Sequence, residues 1–340
     1  MPFKVDAALP PGIEAAREAA KRYEDLGYHG IFTAETTNDP FLDLAFPAVE
    51  TTKPILGNNL AIAFARSPWV VAVAAWELQQ ASKGRFHLGL GTQVKGHITR
   101  RFGMPWESPG PKFREYVVAL KELWAAFGEG RAPNHRGKFY NHTVMAPFFT
   151  PGPIGFDAPK VNIAAINEYN AESAGLVADG LLVHPLHSER YLDEVLFAAV
   201  DRGLAKSGRT RDDITIICPV FLAVGDTPAE VASAASFVKT QASFYGSTRS
   251  YRRIFETHGW DDTPAKLHEK MAKGDIAGMA DEITDEMVDV FAMTGTIDDL
   301  PARIEKKYSG RADRIFFYNL FGTPLADESR QRELIAAVSS

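Results

Sequence analysis

The chain has 340 residues, of which 45% are hydrophobic and 24% charged, and its formal net charge is −6. This is ordinary globular composition, and the scattered Lys and Arg residues predict neither a nucleic-acid-binding nor a membrane-binding surface. The single cysteine, Cys218, excludes an intramolecular disulfide and favours a reducing compartment. No signal-peptide pattern or membrane-spanning apolar stretch is recognisable, so a cytoplasmic protein is expected.

The first half of the chain alternates short apolar strands with helical patterns. Strands are predicted at residues 5–9, 29–35, 54–64 and 86–90. Asp39-Pro40 and Ser67-Pro68 each supply a capping residue followed by a proline suited to the first position of a helix. Because parallel strands need helical crossovers of this kind, the alternation predicts a parallel sheet.

The second half continues this alternation, with two long interruptions. Strands are predicted at 161–165, 181–184, 214–224 and 314–320, and helices at 111–127, 168–178, 189–206, 284–291, 298–308 and 327–338. We interpret the excursion at 128–159 as an insertion over the pocket, with a surface excursion as the alternative; the second excursion is 241–280. The predicted fold class is α/β, a (β/α)8 TIM-like barrel forming one domain over 1–340, with insertions after strands four and seven.

Residues 83–96, KGRFHLGLGTQVKG, join an apolar strand to glycines and then to polar side chains. Gly89 and Gly91 interrupt the strand, and a glycine in a strand often marks the close approach of a ligand or another backbone. In a barrel the carboxyl ends of the strands form the active site. Polar residues follow three of the predicted strands: Glu35-Thr36, Ala65-Arg66 and Thr92-Gln93. The stretch therefore predicts either the floor of a cofactor pocket or an ordinary glycine-rich turn.

Two sequence patterns weakly resemble known binding motifs. His184 and His187 are three residues apart, but a metal needs further ligands, and Pro185 disfavours a helix between them. The glycines at 89 and 91 do not form GxGxxG, because residue 94 is valine. We therefore predict no metal site and no Rossmann dinucleotide-binding motif.

Longer runs resemble the luciferase-like monooxygenase superfamily, and most closely its actinobacterial branch of F420-dependent oxidoreductases. The matching runs are GIFTAETTNDPFL (30–42), ILGNNLAIAFARSP (55–68), GRFHLGLGTQVKGHITRRFGMPW (84–106), KFYNHTVMAPFFTPGP (138–153), ADGLLVHP (178–185) and FYGSTRSYR (244–252). Together they cover most of the chain. The resemblance implies a TIM-like barrel with an insertion, and a flavin or deazaflavin lying across the carboxyl-terminal mouth.

The resemblance also implies roles for particular residues. Glu35 and Thr36 match the acidic residue and its neighbour beside the cofactor ring, and Asn59-Leu60 falls where members often have a non-proline cis peptide bond. Two groups match the residues that approach the ribityl and phosphate region of the cofactor: Gly91, Thr92 and Gln93, and the loop of Ala165, Ile166 and Asn167. Members that oxidise sugar phosphates have histidine in place of Thr36 and an acid near Val94, so that chemistry is not expected.

With a deazaflavin in the mouth, the protein must position the substrate and handle one proton. Glu35, His97 and His184 are the candidate proton partners, and Thr36 is a candidate hydrogen-bonding group for the ring or the substrate. The leading hypothesis is an oxidoreductase that transfers a hydride between F420 and a small organic substrate. The alternatives are an FMN-dependent monooxygenase and a non-catalytic flavin-binding barrel. The resemblance further implies a homo-oligomer, a dimer or higher.

Overall fold

Eight parallel strands close into a barrel in the computed structural model, which describes residues 2–339. In chain order the strands are β1 (Lys4–Ala8), β2 (Gly30–Thr33), β3 (Ile55–Asn58), β4 (Ala61–Ile62), β5 (Phe86–Gly91), β6 (His135–Arg136), β7 (Asn141–His142), β8 (Lys160–Ala165), β9 (Gly180–Val183), β10 (Thr215–Gly225), β11 (Ala292–Thr296) and β12 (Arg314–Phe317). Around the barrel the order is β1-β2-β3-β5-β8-β9-β10-β12, and β12 pairs with β1 to close the ring. The predicted fold class is confirmed.

Helices surround the barrel on its outside. They are α1 (Ile13–Leu26), α2 (Ala45–Glu50), α3 (Pro68–Ala81), α4 (Lys95–Arg100), α5 (Pro109–Glu129), α6 (Glu168–Val177), α7 (Glu189–Tyr191), α8 (Ala198–Ser207), α9 (Pro228–Gly246), α10 (Arg252–Glu256), α11 (Thr263–Lys273), α12 (Ile276–Asp281), α13 (Asp285–Phe291), α14 (Leu300–Tyr308) and α15 (Glu328–Ser339). As predicted, Ser67 caps α3 by accepting the N–H of Val70. Within residues 2–339, no helix has both the length and the apolar character to cross a membrane.

Three strands are shorter than the sequence predicts, because the chain turns as it reaches the mouth. β2 ends at Thr33, two residues early. The predicted strand 54–64 is divided into β3 and β4 by a cis peptide bond between Asn59 and Leu60. β12 ends at Phe317, and a 3-10 turn follows at Leu320–Gly322. In each case the residues just after the strand leave the sheet at the carboxyl-terminal end of the barrel.

β11 is a strand that the sequence did not predict. Its five residues pair with the last five residues of β10, from Phe221 opposite Ala292 to Gly225 opposite Thr296. The first part of the eleven-residue β10 pairs with β9 and β12, so its far end extends past the ring and offers an edge to β11. The sequence AMTGT is too short to show an alternating pattern, and its pairing depends on a distant segment.

The first excursion, residues 128–159, packs along two of the outer helices. Glu115 of α5 accepts hydrogen bonds from the backbone N–H groups of residues 138–140. Farther along the segment, Trp76 of α3 donates its indole N–H to the carbonyl of Gly152 at 2.9 Å. These contacts hold residues 138–140 and 152 against the outer helices.

The second excursion lies at the mouth. It continues from the end of α9 through α10, α11 and α12, and a 3-10 turn at Arg249–Tyr251 follows α9. A hydrogen bond of 2.7 Å between Ser188 Oγ and His258 Nε2 ties this excursion to the start of α7, just after β9. Tyr245 and Tyr251 are thereby placed beside the carboxyl end of β9.

Candidate active site

Glu35 lies just beyond β2 and is held by an ion pair. Its carboxylate accepts two hydrogen bonds from Arg66 Nη1, at 2.9 and 2.8 Å, and one from the backbone N–H of Ile62 at 2.7 Å. The Glu35 side chain is only 5% exposed. Arg66 also bonds Asp39 at 2.7 Å; burial alone would raise the pKa of Asp39, but the hydrogen bonds from Arg66 and from the Phe41 amide lower it. Glu35 is therefore a clamp that holds the loop after β2 against residues 62–66. Both of its carboxylate oxygens already accept hydrogen bonds.

The same clamp holds the chain around the cis peptide bond. The backbone N–H of Glu35 donates to the carbonyl of Leu60 at 3.0 Å, and the N–H of Asn59 donates to Thr33 at 2.6 Å. On the other side, a Cβ added to Gly91 would lie 2.8 Å from Leu60 Cδ2, so Leu60 rests directly on the glycine. The structure thus brings together Glu35, Leu60 and Gly91, and leaves Leu60 partly exposed.

Thr92 and Gln93 form the half-buried turn after β5. Thr92 Oγ1 donates to the carbonyl of Gln93 at 3.1 Å, and Gln93 Oε1 accepts the N–H of Val94 at 2.9 Å. Gln93 adopts the left-handed conformation, with φ of 58°. His97 lies farther along on α4 with its side chain exposed. The structure therefore keeps Thr92 and Gln93 at the mouth and leaves His97 exposed on α4.

Thr36 lies on the exposed loop after β2. Its carbonyl accepts a hydrogen bond from Arg101 Nη2, which connects this loop to the segment after α4. The contact fixes the backbone of the loop and does not engage the Thr36 side chain.

The loop after β8 lies beside the end of β9. Ala165 is the register partner of Val183, so Ile166 and His184 leave the sheet next to each other. The carbonyl of Ile166 accepts a hydrogen bond from Tyr191 Oη at 2.7 Å. Asn167 caps α6, since its side-chain oxygen accepts the N–H of Asn170 at 2.9 Å. A cap of this kind leaves the start of α6 pointing at the mouth, with part of its N-terminal N–H groups satisfied.

His184 is enclosed by rings and engaged at both nitrogens. Its Nδ1 accepts the backbone N–H of Leu186 at 3.1 Å, and its Nε2 lies 3.0 Å from Tyr251 Oη. Because a backbone N–H can only donate, Nδ1 is unprotonated and the neutral ring has its proton on Nε2. Burial, and then the nearby His187, lower the pKa of His184 to about 3. At neutral pH the ring is therefore an uncharged donor to Tyr251.

Three tyrosines complete this side of the mouth. Tyr245 and Tyr251 lie edge-on to the His184 ring, with centroids 4.5 and 4.7 Å away. Tyr245 Oη is 2.7 Å from Tyr318 Oη, and Tyr318, the residue after β12, is 37% exposed. Burial raises the pKa of Tyr245 and of Tyr251 above the usual range. We call His184, Tyr245, Tyr251 and Tyr318 the tyrosine wall; it is uncharged at neutral pH.

His187 is a structural residue with the opposite tautomer. Its Nδ1 lies 2.8 Å from the carbonyl of His184, which can only accept, and its Nε2 lies 3.0 Å from Tyr308 Oη. Burial and Lys307 lower its pKa to about 3. Among residues 2–339, no group of three or more His, Cys, Asp or Glu side chains is arranged to hold a metal ion.

The chemistry of the mouth fits a planar heterocycle. On one side Leu60 offers an apolar surface beside the hydroxyl of Thr92 and the amide of Gln93, and all three are partly exposed. On the other side lie Ile166 and the tyrosine wall. A large planar ring with polar edges matches such a set of apolar faces and few neutral polar groups.

Four residues at this site were not among the predicted ones: Arg66, Tyr245, Tyr251 and Tyr318. Arg66 is the partner of Glu35, and its signal was present in the polar pair that follows the third predicted strand. Tyr251 contacts His184, and its signal was the run FYGSTRSYR, whose place in the fold depends on the packing of the second excursion.

The closed ring of parallel strands, with side chains gathered at their carboxyl ends, defines the chain as a (β/α)8 TIM-like barrel protein. The chain belongs to the luciferase-like monooxygenase family, whose model matches residues 2–314. An uncharacterised protein of Mycobacterium tuberculosis is 43% identical over 313 residues, 92% of each chain. The 5,10-methylenetetrahydromethanopterin reductase of Archaeoglobus fulgidus is 26% identical over 318 residues, which is 92% of this chain and 90% of the reductase.

Solved structures with this fold include an F420-dependent reductase and a monooxygenase component in complex with FMN. The coenzyme F420-dependent tetrahydromethanopterin reductase of Methanopyrus kandleri has a TM-score of 0.76 at 19% identity, covering 98% of this chain and 96% of the reductase. The oxygenating constituent of 3,6-diketocamphane monooxygenase of Pseudomonas putida, in complex with FMN, has a TM-score of 0.64 at 16% identity, covering 100% and 97%. At such identities the likeness concerns the fold.

Proposed function

We propose that this protein is an oxidoreductase that transfers a hydride between F420 and a small organic substrate. The observation that carries the proposal is the pairing, across one mouth, of the half-buried Leu60, Thr92 and Gln93 with the neutral tyrosine wall. Support also comes from the 26% identity to a methylenetetrahydromethanopterin reductase over nearly the whole chain. When bound, F420 would supply or accept the hydride.

The residues on the β3 and β5 side would bind the cofactor ring. Leu60 would give the ring an apolar support, and Gly91 lets Leu60 lie close to the strand end. Thr92 and Gln93 would hydrogen-bond the polar edge or the ribityl chain. Asn59 belongs to this group through the cis peptide bond, and Glu35 would act by holding the loop in place.

The loop after β8 would bind the tail of the cofactor. Ala165 and Ile166 offer backbone groups, and the carbonyl of Ile166 is fixed by Tyr191. Asn167 begins α6, and the N-terminus of a helix is a favourable place for a phosphate. Glu168 in the first turn opposes this effect. The tail therefore depends on the loop backbone more than on the helix dipole.

The proton would be handled at the tyrosine wall. His184 is neutral and half-buried there, whereas Glu35 is occupied by Arg66 and His97 is exposed on α4. Thr36 would contribute a hydrogen bond only if its loop closes over the substrate. The rings of Tyr245 and Tyr251 stack on this side, with centroids 5.7 Å apart.

Binding of F420 and of FMN to the purified protein tests the proposal. Titration followed by cofactor fluorescence is expected to show micromolar or tighter F420 binding and weaker FMN binding. Thr92→Ala should weaken F420 binding by roughly fivefold, since one neutral hydrogen bond is worth about 1 kcal/mol. Thr240→Ala is the matched control, because that hydroxyl bonds only its own helix at Ser236.

Each of the other outcomes has a definite meaning. Tight FMN binding without F420 binding would overturn the proposal and favour an FMN-dependent monooxygenase on the same barrel. If the protein binds neither cofactor, the mouth of the barrel is not a site for F420 or FMN. F420 binding with no hydride transfer to any acceptor would favour the non-catalytic barrel.

A further inference from the structure

We propose that Tyr251 is the group that exchanges a proton with the substrate, that His184 positions it, and that the substrate is an alcohol or carbonyl compound. The inference rests on the proposed function, because the hydride must come from or go to the bound deazaflavin. It reassigns the role of His184: the imidazole acts through the phenol and does not itself touch the substrate.

The direction of the hydrogen bonds carries the first step. The N–H of Leu186 occupies His184 Nδ1, so the ring donates from Nε2 to Tyr251 Oη. Within residues 2–339, this imidazole is the one hydrogen-bond partner of Tyr251 Oη. A phenol that accepts from an imidazole still has its own O–H to donate, and a substrate oxygen can accept it.

The position of the wall carries the second step. His184 follows β9 and Tyr318 follows β12, so the wall lies at the carboxyl ends of the barrel strands, where this fold places its chemistry. The residues proposed for the cofactor ring follow β3 and β5, across the ring of strands. A substrate between the two sides would have its reacting carbon toward the cofactor and its oxygen toward Tyr251.

The neighbouring tyrosines show why Tyr251 is the group to choose. Tyr245 and Tyr318 are joined to each other by one hydroxyl–hydroxyl hydrogen bond of 2.7 Å, whereas the Tyr251 hydroxyl is paired with the imidazole of His184. Tyr245 stacks on Tyr251, with centroids 5.7 Å apart, and fixes the plane of its ring. Tyr251 is thus held in place by Tyr245 and by His184 while its own proton has no partner in the protein.

The reaction balances with these groups, the cofactor and one water molecule. In the reducing direction, reduced F420 would supply the hydride for the carbonyl carbon, and Tyr251 would give its proton to the carbonyl oxygen. An alkoxide is a stronger base than a phenolate, so this proton transfer is favourable. The His184 Nε2–H stabilises the phenolate, and water then reprotonates it. Oxidation of an alcohol runs through the same steps in reverse.

The hydrogen-bond arrangement is tested without any activity. Histidine-selective 15N NMR of the cofactor-free protein is expected to show His184 protonated on Nε2 and His187 protonated on Nδ1. Tyr251→Phe should shift the His184 Nε2 signal and leave that of His187 unchanged, and Tyr308→Phe should do the opposite. A His184 ring protonated on Nδ1 would overturn the proposed positioning.

The chemical role is tested with F420 and three alcohols, 2-propanol, cyclohexanol and benzyl alcohol. Tyr251→Phe should lower kcat roughly 100-fold with little change in KM, in line with the loss of a general acid–base group. His184→Ala should lower kcat roughly tenfold, and His184→Gln, which keeps an N–H at the same place, should recover most of the activity. Tyr308→Phe is the control, because it removes an equivalent hydroxyl–imidazole pair outside the mouth.

The failures of this inference and of the proposed function are distinguishable. If Tyr251→Phe loses no more activity than Tyr308→Phe, the role of Tyr251 is wrong. If the protein binds F420 and oxidises none of the three alcohols, the substrate class is wrong and the proposed function stands. If the protein does not bind F420, the inference falls together with the proposed function.

Discussion

On the β2–β4 side of the mouth, a carboxylate and a guanidinium hold the loops together, whereas on the β9–β12 side the holding groups are uncharged rings. Glu35 and Arg66 form a charged pair with exposures of 5% and 18%. His184 and Tyr251 form a neutral pair, with 3.0 Å between Nε2 and Oη. The comparison teaches that a charged pair fixes the chain on one side of the mouth, whereas uncharged hydrogen bonds and ring contacts do so on the other.

The largest expected effect comes from breaking the charged side. Arg66→Ala leaves the Glu35 carboxylate buried without its cation, and should lower the free energy of unfolding by about 3 kcal/mol. Arg17→Ala is the control, since the Arg17–Glu50 pair is exposed and such pairs contribute about 0.5 kcal/mol. Urea unfolding measures both. Equal losses in the two variants would show that the Glu35 pair is not a clamp.

A smaller effect is expected where the two sides meet beneath the mouth. A Cβ on Gly89 would lie 1.9 Å from the carbonyl oxygen of Asn58 and 2.8 Å from Leu182 Cδ1. Gly89→Ala should therefore cost about 2 kcal/mol through overpacking. Gly322→Ala, with nothing within 4 Å of the added Cβ, should change little. Thermal unfolding that gave the same midpoint for both variants would contradict the close packing of these strands.

The neutral side predicts a loss of stability in acid. The folded pKa of His184 and of His187 is about 3, below the value of 6.5 of an ordinary histidine. Above pH 6.5 neither state binds a proton, so these rings contribute no pH dependence. As the pH falls from 6.5 toward 3, only the unfolded state binds the protons, and stability falls by up to about 1.4 kcal/mol per unit for each ring.

Urea unfolding at pH 7 and pH 5 checks this sign. His187→Asn keeps an N–H for the carbonyl of His184 but does not titrate, so the loss between the two pH values should be smaller by up to about 2 kcal/mol. An identical loss in the wild type and in His187→Asn would mean that the ring is protonated in the folded protein.

The smallest effect is expected at a residue that belongs to neither side of the mouth. His97 is exposed on α4, so His97→Ala should change the free energy of unfolding by less than about 0.5 kcal/mol. A loss of several times this size would show that α4 is packed against the mouth through His97.

The barrel was predictable because its signals are local. The sequence shows eight apolar strands, and capped helices lie between them. This alternation predicts a parallel barrel. The cis peptide bond at Asn59-Leu60 was implied by the resemblance alone, and no local pattern marks it. β11 was missed because its only reason to be a strand is the protruding end of β10, which lies about seventy residues earlier in the chain.

The sequence predicted that the candidate site lies at the ends of the strands. It did not predict the hydrogen-bond partners of the site residues. Glu35 and His184 were picked as residue types that move protons. Their partners are Arg66 and Tyr251, which lie 31 and 67 residues away in sequence. Whether an acid is free or paired, and whether an imidazole donates or accepts, depends on such distant contacts, and these depend on the whole packed fold.

A crystal structure of the protein with F420 tests the account most directly. We predict that the cofactor ring lies in the mouth, with Leu60, Thr92 and Gln93 on one side and the tyrosine wall on the other. The Tyr251 hydroxyl should then face the space beside the ring where a substrate oxygen fits. A ring bound elsewhere, or one that contacts neither group of residues, would contradict both the proposed function and the division of roles between the two sides.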